Sequence, residues 1–153
     1  SNDNQLDIFL SSSSNNEKST KSAKSVKSTK FTKSTKSAKI DKSDKANMTI
    51  LEEAFSYPIT SNPEVSSSII TLPPGAQTGW HLHEAPMYAY ILEGTLEVTY
   101  TVDGVEKTNV YKKGEAIMEG LNTPHNGVNN TDSPVKVLVV NIGSPDAKNS
   151  VKL

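Results

Sequence analysis

The 153-residue chain has no cysteine, which excludes disulfides, zinc–cysteine sites and thiol catalysis. It has no arginine either, since all 16 basic residues are lysines. Lysine without arginine or interleaved aromatics is a poor reader of bases. No apolar run approaches the roughly 18 residues expected of a transmembrane segment. Glycine and proline are missing from the first 47 residues, and all 8 of each lie beyond them. That asymmetry excludes a single uniform globule and divides the chain by charge as well. Residues 1–47 hold 10 Lys and 5 acids, a net of +5, whereas residues 48–153 hold 6 Lys and 12 acids, a net of −6. An acidic folded part argues against a specific nucleic-acid partner.

Two regions are therefore expected: a disordered Lys/Ser/Thr low-complexity tail over residues 1–47 and a folded domain over residues 48–153. From Lys18 to Lys45 a lysine stands at every third position. A period of three drifts around a helix, and the intervening Ser and Thr offer too little apolar area to offset the entropy of ordering. The tail reads as a spacer. The alternative is a polycationic arm making weak contact with an anionic surface. Leu6–Leu10 is weakly apolar and carries no clear signal. A start at Ser1 rather than Met, together with the polar tail, slightly favours an exported or periplasmic location over a cytoplasmic one.

From Met48 onward, short β-rich runs are broken by Gly, Pro, Asn and Asp. Strands are predicted at Thr49–Tyr57, Ser67–Leu72, Thr78–His83, Met87–Leu92, Thr95–Val102, Val105–Tyr111, Glu115–Glu119, His125–Asn129 and Pro134–Ile142. The clearest alternation puts Leu96, Val98, Tyr100 and Val102 on one face and Glu97, Thr99 and Thr101 on the other. Asp103-Gly104 follows as a tight hairpin turn, and Glu93-Gly94 and Lys113-Gly114 mark two more. The pattern predicts an all-β fold, a small antiparallel barrel or jelly roll.

The chain has three histidines, His81, His83 and His125. On a strand, residues two apart leave the same face, so His81 and His83 would present both imidazoles together. His125 is 42 residues beyond His83, a separation that an antiparallel barrel can close. Three neutral imidazoles suit a divalent transition metal (Fe, Zn, Ni, Mn, Co or Cu) and leave coordination positions open. The alternative is three incidental polar residues.

These residues also carry a resemblance. Gly75, His81, His83 and Gly94 have the spacing of Gly-x5-His-x-His-x3-Glu-x6-Gly, and Gly114, His125 and Asn129 that of Gly-x5-Pro-x-Gly-x2-His-x3-Asn. Over roughly residues 50–142 the chain resembles the cupin superfamily, as a small single-domain member. The resemblance implies a barrel with His81, His83 and His125 as metal ligands. Gly120 and Asn122 stand where Pro and Gly are usual, a change that alters only a turn, because Asn tolerates positive φ. Met87 stands where the family usually has a metal-binding Glu.

Three readings of Met87 follow. In the first it is not a ligand and the metal sits on a neutral three-His face, as in cupin thiol dioxygenases and some diketone-cleaving cupins. In the second it ligates, giving a His3Met set that favours copper. In the third it is an apolar wall beside a degenerate site. Glu84 follows His83 directly and points to the opposite face of a continuing strand, unless Pro86 breaks that strand. Trp80, Tyr88 and Tyr90 alternate away from His81 and Met87, as an opposite core or a dimer face would. Asn129 reads as a loop brace, and Glu119 as a solvated acid near the rim or a proton carrier. Asn47-Met48-Thr49 and Asn129-Asn130-Thr131 match the glycosylation pattern, as chance allows in so Asn- and Thr-rich a chain.

The leading functional reading is a metal-binding protein that acts on a small-molecule ligand. It would be an Fe(II)-type oxygenase or another metalloenzyme with a small polar or anionic substrate. The alternative is a non-enzymatic copper or small-ligand binder using a His3Met site. A homodimer is the expected assembly.

Overall fold

Period-two alternation builds the architecture, and a computed structural model describes it for residues 38–153. Residues 1–37 of the expected tail, with Leu6–Leu10, lie outside the described residues. The strands are β1 (Glu64–Leu72), β2 (His81–Leu82), β3 (Met87–Glu93), β4 (Thr95–Val102), β5 (Val105–Lys112), β6 (Ala116–Met118), β7 (His125–Val128), β8 (Val135–Gly143) and β9 (Val151–Lys152). Among the described residues there is no helix. One sheet has the order β1-β8-β3-β6 and the other β5-β4-β7-β2-β9. All strand pairings are antiparallel. The all-β expectation holds.

The two sheets share one core. Met87, Ala89 and Ile91 of β3 and Val135, Val137 and Val139 of β8 meet Leu96, Val98 and Tyr100 of β4. The face predicted for β4 is the buried one, except that Val102 at its end is exposed. In β8 the same alternation turns Lys136 to solvent between buried Val135 and Val137. Each fully buried Val, Leu or Ile contributes about 1.5–3 kcal/mol, so this inner face carries most of the barrel's cohesion.

Turn chemistry fixes the registers. Asp103 and Gly104 both adopt positive φ, +50° and +75°, as a two-residue hairpin between right-twisted strands requires. Asn122 takes φ +52°, the left-handed conformation its replacement of Gly foresaw. Asn129 is fully buried. Its amide donates to the carbonyls of Leu72 and Ser133 at 3.0 and 2.8 Å, and its oxygen accepts from the Thr131 backbone at 3.0 Å. It braces the loop between β7 and β8, and its amide is not accessible for glycosylation.

Two strand predictions change and one unpredicted strand appears. Thr49–Tyr57 is a turn with one Met48–Ala54 bridge, because the Thr49 hydroxyl accepts from the Leu51 and Glu53 amides at 3.3 Å and curls the chain. Thr78–His83 contracts to His81–Leu82, since Gly79 at φ +85° bends the approach. β9 adds a two-residue strand against β2 that carries too little pattern to predict. Tyr88 and Tyr90 are half-buried on the outer side of β3. Lys42 stands 5.8 Å from the Tyr90 ring centre and donates to the Gly114 carbonyl.

Gly94, between β3 and β4, is the least replaceable turn residue. Its φ is +79°, and an added Cβ would lie 2.5 Å from the Pro134 carbonyl oxygen and 3.1 Å from the Val135 Cα. At Gly104, φ is +75° but the space is open. Gly94→Ala is expected to cost about 3 kcal/mol or more and Gly104→Ala about 1 kcal/mol. Denaturant unfolding of the two variants measures the difference, and equal losses would contradict the steric assignment.

Candidate metal centre

The pairing of β2 with β7 sets His81 directly opposite His125. On the other side of β7, Tyr100 of β4 pairs with His125 and stacks on its ring at 4.7 Å with an interplanar angle of 26°. His83 lies just past β2, where it bridges to Leu121 and its carbonyl accepts from the Asn122 amide at 2.8 Å. Register thus brings all three imidazoles together. Ring centres are 4.3 Å apart for His81–His125, 4.7 Å for His83–His125 and 4.9 Å for His81–His83. One ring nitrogen from each lies within 4.8 Å of the others, an arrangement that could hold a metal ion.

Backbone carbonyls orient all three rings. His81 Nδ1 meets the Gly79 carbonyl at 2.7 Å, His83 Nδ1 that of Asn149 at 2.7 Å, and His125 Nδ1 that of Thr123 at 2.8 Å. A carbonyl only accepts, so each Nδ1 carries the proton and each neutral ring keeps its lone pair on Nε2. The Nε2 atoms of His83 and His125 are 3.0 Å apart. Two lone pairs at that distance repel unless a proton or a cation lies between them. Burial holds the pKa of His83 and of His125 down to about 4, so a cation other than a proton suits this donor set near neutral pH.

The histidines line a cavity of about 370 Å³. Leu96, Val98, Ile117, Val137 and Val139 wall it, and Ser68, Asn141 and Lys152 are among its polar lining residues. Met87 is buried and lines the same space. Glu84 is exposed, and its carboxylate accepts from the Lys148 amide at 3.3 Å, so it takes no part in the site.

Glu119 corrects the sequence reading. It is buried, not solvated, and lines the cavity. Its Oε2 is 3.8 Å from His125 Nε2 and has no hydrogen-bond partner. Burial raises its pKa to about 8. The signal was present in the sequence: Ile117 and Glu119 are two apart in a strand-like run, so the face that buries one turns the other inward.

A family model described as a cupin domain matches residues 68–141. A single-substitution variant of oxalate decarboxylase from Bacillus subtilis is similar in structure, with 25% identity and a TM-score of 0.51 over 58% of this chain and 24% of that one. The formate complex of Lactobacillus farciminis oxalate decarboxylase is 21% identical, with a TM-score of 0.51 over 58% and 26% of the two chains. A Bacillus subtilis oxalate decarboxylase studied for its Mn(II) centres is 23% identical, with a TM-score of 0.50 over 64% and 30%. The similarity spans about a quarter of the length of these proteins. No curated protein sequence matches the chain.

The buried groups impose a pH signature on chelator-treated protein. His83 and His125 stay neutral when folded but bind protons when unfolded between about pH 4 and 6.5, so stability rises with pH there. Glu119 keeps its proton when folded but releases it when unfolded between about pH 4.5 and 8, so its contribution falls with pH. Two histidines outweigh one carboxyl below 6.5, and the carboxyl acts alone above it. The thermal midpoint should therefore peak near pH 6.5, and Glu119→Gln should flatten the alkaline side. Melting curves from pH 4 to 8 check this; an alkaline fall that persists in the variant would contradict it.

Proposed function

Given that the chain belongs to the cupin superfamily, we propose that it is a metalloenzyme holding one divalent transition metal on His81, His83 and His125. The reading is an Fe(II)-type oxygenase or related enzyme acting on a small molecule. One observation carries it: three separate backbone carbonyls fix three Nδ1 protons and so turn three Nε2 lone pairs toward one point. Incidental polar histidines have no need of that arrangement, whereas metal-ligating histidines usually show it.

A bound ion there would supply a Lewis acid for an oxygen donor of the substrate and, as iron, a partner for dioxygen. The chain's own residues do the rest. Leu96, Val98, Val137 and Val139 exclude water and take up an apolar body. His81, His83 and His125 line the same cavity, and a neutral or anionic head would sit against them. Lys152 lines the same cavity and offers a positive charge to an anionic head. Oxalate, the substrate named for the similar structures, is a two-carbon dianion that would use Lys152 and the polar lining residues but leave the aliphatic walls without a partner. The cavity instead suits a larger molecule with a single polar head.

A second reading is a non-enzymatic copper site of His3Met type. The buried position of Met87 on the same cavity supports it.

Titration of the chelator-treated full chain with Mn(II), Fe(II), Zn(II), Ni(II) and Cu(II) tests the proposal. One ion per chain is expected, with affinity falling about 100-fold or more in His125→Ala. Oxygen uptake with Fe(II) and a small thiol or diketone, lost in that variant, would support the oxygenase. Tight Cu(I) binding lost in Met87→Leu would favour the copper reading. No uptake of any of these ions would overturn both.

A further inference from the structure

We infer that Glu119 supplies a carboxylate ligand to the ion held by His81, His83 and His125, from the strand position opposite Met87. The inference rests on the metal reading above and concerns which residue completes the ligand set.

β3 and β6 pair with Ala89 opposite Ile117 and Tyr88 opposite Met118. One step further places Met87 opposite Glu119, and the Glu119 amide donates to the Met87 carbonyl at 3.1 Å. Directly opposed residues on antiparallel strands leave the same face, with Cβ atoms about 5 Å apart. The sequence resemblance marks position 87 as the usual place of a metal-binding Glu. This chain has the thioether there and the carboxylate one strand across, on the same inward face.

The carboxylate stands beside one member of the trio, His125, while the donor atoms that all lie within 4.8 Å of one another are those of the three histidines alone, so Glu119 would join the set by a small side-chain rotation toward the ion. Its Oε2 is buried without a hydrogen-bond partner and lies 3.8 Å from His125 Nε2. Two donors each about 2.1 Å from one ion are at most about 4.2 Å apart. The His83–His125 separation of 3.0 Å meets that limit, and so does the Glu119–His125 separation. Glu119 approaches the trio from the His125 side. Among the described residues no lysine forms an ion pair with it. An unpartnered carboxyl in an aliphatic cavity is costly to keep unless something of opposite charge meets it. Three neutral imidazoles leave a divalent ion with its whole charge in that cavity, and one carboxylate halves it.

The ligand set would then be three imidazoles and one carboxylate, suited to Mn(II), Fe(II) or Zn(II), with Met87 as a wall. The chelator-treated full chain is titrated with Mn(II), with the free ion followed by electron paramagnetic resonance. The variants are Glu119→Gln, Glu119→Asp, Met87→Leu and His125→Ala. Glu119→Gln should weaken Mn(II) binding about 10-fold or more. Glu119→Asp, which keeps the charge but shortens the reach, should fall between Glu119→Gln and wild type. Met87→Leu should stay within about threefold of wild type. Without metal, Glu119→Gln should melt at or above the wild-type midpoint at pH 8, which separates a lost ligand from a damaged fold. Wild-type affinity in Glu119→Gln, with binding lost in His125→Ala, overturns the carboxylate ligand and leaves the three-His site standing. Loss in Met87→Leu but not in Glu119→Gln overturns it in favour of His3Met. A wild-type chain that takes up neither Mn(II) nor any other divalent ion overturns the metal reading itself.

Discussion

Three hydrogen bonds from imidazole Nδ1 to backbone oxygen organise this protein. Each acceptor comes from a different loop: Gly79 from the bend before β2, Thr123 from the turn before β7, and Asn149 from the segment leading into β9. Moving any one loop would rotate its ring and turn its Nε2 away. Several features of the fold are ways of placing those carbonyls. Gly79 and Asn122 occupy the left-handed conformation that their turns need. The short strand β9 pairs with β2 and anchors the Asn149 segment. Any metal chemistry at this site would therefore depend on backbone geometry before it depended on the identity of the ion.

The surroundings raise the stakes of that geometry. The rings line a largely aliphatic cavity, and Tyr100 stacks on His125. Low polarity disfavours charge on any isolated group, which is why His83 and His125 resist protonation and Glu119 resists ionisation. A divalent cation bound there would reverse the balance, because it would attract the same lone pairs and, in the ligand set proposed above, the same carboxylate that burial holds neutral. Site and cavity are thus matched: groups poorly suited to being charged alone are well suited to sharing one ion.

Much of this was legible in the sequence, for physical reasons that can be named. The His-x-His spacing at period two and the turn before His125 located the centre. The alternation of Leu96, Val98 and Tyr100 located the inner face, and Asp103-Gly104 located a hairpin. Other features were hidden. Thr49 looks like a strand residue, but its hydroxyl competes for backbone amides and curls the chain. Asn149 gave no signal, because its contribution is a carbonyl that every residue possesses. Glu119 looks like a surface acid by residue type, although its spacing from Ile117 already turns it inward.

The most direct test of the account is the histidine protonation pattern, read by ¹⁵N NMR on chelator-treated protein near pH 7. With three histidines in the chain, every signal belongs to the site. All three rings should carry their proton on Nδ1, and one equivalent of Zn(II) should shift the three Nε2 signals together. Two or more rings protonated on Nε2, with no response to the ion, would contradict it.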